Sequence, residues 1–64
     1  MKAAALGDAR RLAGYALAGA EVLPVEGWES LDEDVGLLVL TPEAYDALAD
    51  RLDERPGLVW AVLP

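Results

Sequence analysis

The chain has 64 residues with no Cys, no His and no Phe, and 12 acidic side chains against 5 basic ones give a net charge of −7. These counts exclude a disulfide framework, a thiolate zinc site, a thiol nucleophile and any imidazole base or ligand. They argue against nucleic-acid binding, which needs Lys and Arg to meet phosphates, while an apolar fraction of 55% is far above that of a disordered chain.

Taken in order, Lys2 to Leu6 is short and apolar and is followed at once by Gly7-Asp8, which predicts a buried strand ending in a turn. Asp8 is placed to cap the next helix by accepting backbone N–H groups. Ala9 to Ala18 reads as that helix. Leu12, Ala13, Ala16 and Leu17 form its expected apolar face, and Gly19 stands where a left-handed C-terminal cap belongs. Gly14 in mid-helix costs about 1 kcal/mol against Ala, which marks close packing or a break. Glu21 to Val25 is a second strand. Its Pro24 cannot donate to a ladder and so predicts a sheet edge.

Glu26 to Asp34 follows, an acidic link with five carboxylates (Glu26, Glu29, Asp32, Glu33, Asp34) and no base. It reads as solvated loop with room for one helical turn from Ser30, and it lacks the ligand spacing of a calcium loop. Val35 to Leu40 is the clearest strand, apolar on both faces as a central parallel strand is. Thr41-Pro42-Glu43 then starts a helix: a hydroxyl cap, Pro at the first helical position and an acid in the first turn. Tyr45, Leu48 and Leu52 form its buried stripe, and Pro56-Gly57 ends it. Leu58 to Leu63 is a fourth strand, again apolar on both sides.

The alternation β-α-β, link, β-α-β predicts a single small α/β domain with a parallel four-stranded sheet in the order 2-1-3-4, flavodoxin- or Rossmann-like, as three layers or an open two-layer arrangement. That order places Pro24 at an edge. Right-handed crossovers put the first helix on one side of the sheet and the Tyr45 helix on the other. The first side is then bare over strands 3 and 4. One of the two sets on strand 4, Leu58, Trp60 and Val62 or Val59, Ala61 and Leu63, has no helix of its own chain over it. A chain of this size gains only a few kcal/mol from a lone core, so a partner surface is expected. Leu58, Trp60 and Val62, with Asp8, Arg10, Arg11 and Tyr15 from the first helix, are the candidate partner-binding residues.

Gly7-Asp8 lies at the carboxyl end of the first strand, near the switch point where such sheets bind ligands. With Arg10 and Arg11 it could form an anion site. The glycine spacing of a dinucleotide loop and the Gly-Lys-Ser/Thr of a P-loop are both missing. The alternative is a helix cap for Asp8 and surface charge or a salt bridge for the Arg pair. Two Arg in a first turn oppose the macrodipole and so point to an acidic neighbour. Residues 1–19 carry net +2 and the remainder −9, an asymmetry suited to oriented docking on a protein. No catalytic residue, metal ligand or cofactor is expected. No apolar run approaches the ~20 residues of a bilayer span, and the short N-terminal run is not a signal peptide, so a soluble cytoplasmic protein is expected.

The run Gly7-Asp8-Ala9-Arg10-Arg11-Leu12-Ala13-Gly14-Tyr15-Ala16-Leu17-Ala18-Gly19, followed by Ala20-Glu21-Val22, resembles the opening of the F-subunit family of V-type/A-type ATP synthases, the archaeal/vacuolar-type rotary ATPases. Val35 to Thr41 is similar to that family's third strand and threonine, and Val59 to Pro64 to its Pro-ending fourth strand. The resemblance spans nearly the whole chain; its specific pieces are Gly7-Asp8 and Gly14-Tyr15-x-Leu17-Ala18-Gly19. It implies a non-catalytic component of the central rotor stalk, peripheral to the membrane through its complex. Such a component binds the coiled-coil stalk subunit and helps couple ATP turnover to proton or sodium movement. Three departures stand out: Arg11 and Ala13 replace hydroxyl residues, the second helix is reduced to the acidic link, and the family's C-terminal regulatory helix does not follow Pro64. The other readings are a small anion- or nucleotide-binding module and a stand-alone interaction adaptor that self-associates.

Overall fold

A computed structural model of the chain describes residues 2–64. Four parallel strands, β1 (Lys2–Leu6), β2 (Glu21–Leu23), β3 (Val35–Leu40) and β4 (Val59–Val62), form one sheet in the order β2-β1-β3-β4. Helix α1 (Ala9–Leu17) joins β1 to β2, and α2 (Pro42–Leu48) lies between β3 and β4. Short 3₁₀ helices occupy Val25–Ser30 and Leu52–Glu54. The α/β class, the parallel sheet and its strand order are therefore those read from the alternation.

Both helix starts follow from the capping residues. The Asp8 carboxylate accepts the backbone N–H of Arg10 at 3.0 Å, and the Thr41 hydroxyl accepts that of Ala44 at 3.2 Å, with Pro42 behind it. Gly19, at φ +99°, ends α1 in a Schellman motif: its N–H donates to the Ala16 carbonyl and that of Ala20 to Tyr15, each at 3.0 Å.

The main core lies on the α2 side of the sheet. Ala4 and Leu6 of β1, Leu38 and Leu40 of β3, and Ala44, Leu48 and Leu52 from the α2 region meet there with Val35 and Trp28. Val35 reaches this side through an irregularity. Lys2 pairs with Val35 but Ala3 with Leu37, so Gly36 is an extra residue in β3. On the α1 side, Ala5 and Leu12 are the residues that become fully buried.

Four expectations are corrected. The acidic link is not a solvated loop throughout: its helical turn starts at Val25 and ends at Ser30, and Trp28 within it is 5% exposed. Val25, Trp28 and Leu31 recur every three residues, the 3₁₀ period, and all pack on the core. The second strand stops at Leu23; it is an edge strand, but Pro24 lies just beyond it, where its carbonyl accepts the Gly27 N–H at 2.8 Å. The apolar face of α1 is not Leu12, Ala13, Ala16 and Leu17. Leu12 and half-buried Tyr15 point to the sheet, and Leu17, five residues past Leu12 and so turned by about 140°, is 91% exposed. Gly14 neither packs closely nor breaks the helix, since a Cβ there would meet nothing within 4 Å.

Candidate functional site

Two places gather the residues singled out from the sequence. The first is the switch point between β1 and β3. Gly7, Asp8, Arg11, Thr41 and Glu43 line an open cleft of about 460 Å³ there, together with Glu26. Gly7 adopts φ +142°, and a Cβ at this position would lie 2.3 Å from the Thr41 hydroxyl oxygen, so the turn and the α2 cap interlock. The Arg11 guanidinium donates to both carboxylate oxygens of Glu43, at 3.3 and 3.2 Å. This is the acidic neighbour that the arginines in the first turn called for. The pair ties the amino ends of α1 and α2 across the cleft. Both side chains are well exposed, so the pair contributes at most about 1 kcal/mol.

The charges in this cleft do not suit an anion. Asp8, Glu26 and Glu43 face one guanidinium, which is already paired, and the Asp8 carboxylate is engaged as a cap. Arg10 is exposed and makes no ion pair among the described residues. Among the described residues no group of three or more acidic side chains is arranged to hold a metal ion, and no helix is long and apolar enough to cross a membrane.

The acidic link is held to the body by three cations. Lys2 pairs with Asp32 at 2.7 Å, Arg51 pairs with Glu29 and with Glu54, and Arg55 donates to the carbonyls of Leu31 and Asp32. The Asp34 N–H and then Lys2 hold the Asp32 carboxyl below the usual carboxylate range; Arg51 does the same for Glu29. Asp32 in turn raises the Lys2 ammonium, and Glu29 with Glu54 raises the Arg51 guanidinium. These contacts fasten the Trp28 turn against the region after α2.

The second place is the β4 half of the sheet. All four residues of β4 are exposed although all four are apolar. Register assigns them to sides. Trp60 pairs with Leu38 and Val62 with Leu40, on the α2 side, where the Trp60 ring lies 5.5 Å from that of Tyr45. Val59 pairs with Leu37 and Ala61 with Val39, on the α1 side. Leu58, Trp60 and Val62 are thus not the uncovered set: Leu58 packs on the core, Trp60 meets α2, and Trp60 and Val62 remain 40% and 37% exposed because β4 is an edge. The set with no helix over it is Val59 and Ala61, together with Leu37; Val59 is 64% and Leu37 37% exposed. The bare area over strands 3 and 4 on the α1 side is where the crossover argument put it, but its residues are the alternate ones.

Tyr15 and Arg11 lie on the flank of α1 that borders this bare area. Arg11 reaches Glu43 beyond the end of β3, and Arg11, Tyr15 and Ala18 follow at i, i+4 and i+7. Comparison with protein-family models, curated proteins and solved structures finds no match for this chain.

Proposed function

We propose that the chain is a non-catalytic protein-binding subunit of the kind found in the central stalk of V/A-type rotary ATPases. In this reading the coiled-coil stalk subunit packs on the exposed β4 half of the sheet, on the cytoplasmic side of the membrane. The chain then acts as a rotor component in coupling ATP turnover to ion movement. The observation that carries the reading is a strand of four apolar residues, none of them buried, in a half-sheet with no helix on its α1 side. Burying a large apolar side chain gives about 1.5–3 kcal/mol, so a partner gains by covering Val59 and Leu37. The run from Gly7 to Gly19, with its resemblance to the rotary-ATPase family, supports the choice of partner. The acid-rich cleft, whose one guanidinium is already paired, does not favour the alternative of an anion-binding module.

Co-expression with the coiled-coil stalk subunit of a rotary ATPase from the same source tests this. A stoichiometric complex is expected, and Val59→Asp is expected to weaken it at least 10-fold. Trp60→Glu is a less clean probe, since it also disturbs the contact with Tyr45. Absence of any complex, or a complex indifferent to Val59→Asp and Leu37→Asp, overturns the reading.

A further inference from the structure

The α1 side of the sheet is a step. Helix α1 stands over the β2–β1 half, and the β3–β4 half beside it is lower by one layer, about 10 Å. The low half is an apolar trough of Leu37, Val39, Val59 and Ala61. The high half ends in an apolar ridge as well. Gly14 and Leu17 follow Arg10 at i, i+4 and i+7 along the outermost line of α1, and Leu17, at 91%, is the most exposed large hydrophobic residue described. Gly14 has open space above it, so a neighbouring backbone can approach closely there.

Ridge and trough also match in length and level. The nine residues of α1 span about 13.5 Å and the four of β4 about 13 Å. Because α1 returns antiparallel to the strands, Leu17 sits at the amino end of the sheet, level with the paired residues Leu37 and Val59. We infer that, in the free protein, this side is covered by the same side of a second copy of the chain. A two-fold axis running along the strands, between ridge and trough, lays each copy's α1 in the other's trough and sets Leu17 on the partner copy's Leu37 and Val59. An axis across the strands stacks α1 on α1 and leaves both troughs open. The contact is isologous, as closed dimers require.

The size of the contact is adequate. One side of a body 27 × 25 × 20 Å projects roughly 500–700 Å², and interdigitation adds to that, which approaches the ~800 Å² per partner of a standard interface. Arg10, on the ridge, makes no ion pair within its own chain among the described residues, so its guanidinium is available to a carboxylate of the second copy. This dimer does not depend on the stalk reading, since it forms from the purified chain alone; where both hold, a stalk helix and a second copy compete for one trough.

Sedimentation equilibrium of the purified full chain, from about 5 to 500 μM, tests it by mass. A monomer–dimer equilibrium above the 6.8 kDa monomer is expected. Leu17→Asp and Val59→Asp each act at a mostly exposed position, so both variants are expected to keep the far-UV circular dichroism of the parent and to raise the dissociation constant at least 10-fold. The chain has no cysteine, so Leu17→Cys chains mixed with Val59→Cys chains offer a second readout. Mild oxidation is expected to yield the mixed disulfide in preference to either self-paired product. A monomer throughout the concentration range overturns the proposal. So does a dimer that survives both substitutions and gives no mixed disulfide.

Discussion

Replacing Trp28 with Ala removes the largest side chain in the core. Its surroundings predict the cost. The indole is 5% exposed and clusters with Leu6, Leu38, Leu48 and Leu52, and the turn that carries it is pinned by Arg51, Arg55 and Lys2. The pinned link is not free to collapse into the vacated space, so the loss falls in the upper part of the ~3–5 kcal/mol range for Trp→Ala in a core. A lone core in a chain of this length leaves only a few kcal/mol of net stability, so Trp28→Ala is expected to be largely unfolded at 25 °C. Trp28→Phe keeps most of the apolar volume and is expected to fold with a lowered midpoint. Urea titration followed by far-UV circular dichroism reads all three chains without relying on the fluorescence of Trp60. A Trp28→Ala chain with a cooperative transition and a loss below about 1 kcal/mol refutes the assignment of this turn to the core.

Gly7→Ala places a Cβ within 2.5 Å of two Thr41 atoms in a backbone conformation that L side chains rarely adopt, so a loss of more than 2 kcal/mol is expected by the same titration, roughly the cost of strained backbone plus a displaced cap. Gly14→Ala meets nothing, so it is expected to raise the midpoint by the equivalent of about 0.5–1 kcal/mol when the chain is kept dilute. The pH dependence follows from the paired charges of the link. Asp32 and Glu29 titrate lower in the folded chain than in the unfolded one, so their contribution is complete above the ordinary carboxylate range and is lost as pH falls through the folded values. Lys2 titrates higher when folded, so its contribution is present below about pH 10.5 and disappears as pH rises through the folded value. Melting temperature against pH is therefore expected to form a plateau that falls at both ends, and Lys2→Met is expected to flatten the alkaline fall.

What is local in this fold is legible from the residues. Asp8 and Thr41-Pro42 start the two α-helices and Gly19 ends the first, each acting within one turn of chain, whereas α2 stops at Leu48, short of Pro56-Gly57, and Leu52 lies in a separate 3₁₀ turn. The long apolar run of Val35–Leu40 marks an inner strand of the sheet, although Leu37 and Val39 on its α1 side are not fully covered. The Trp28 turn is hidden because five carboxylates dominate its composition, while the signal that matters is the spacing of Val25, Trp28 and Leu31. Leu17 is misplaced for a related reason. A nine-residue helix with Ala on several lines has no unique apolar face until a sheet selects one.

The amino-acid sequence determined the elements, their order across the sheet and the existence of an uncovered half, because capping, periodicity and crossover handedness act through neighbouring residues and chain connectivity. The tertiary structure alone decided which side chains form that half. In a strand apolar on both faces a shift of one residue exchanges the two sets, and only pairing with β3, where Leu38 and Leu40 are already committed to the core, fixes Trp60 and Val62 on one side and Val59 and Ala61 on the other.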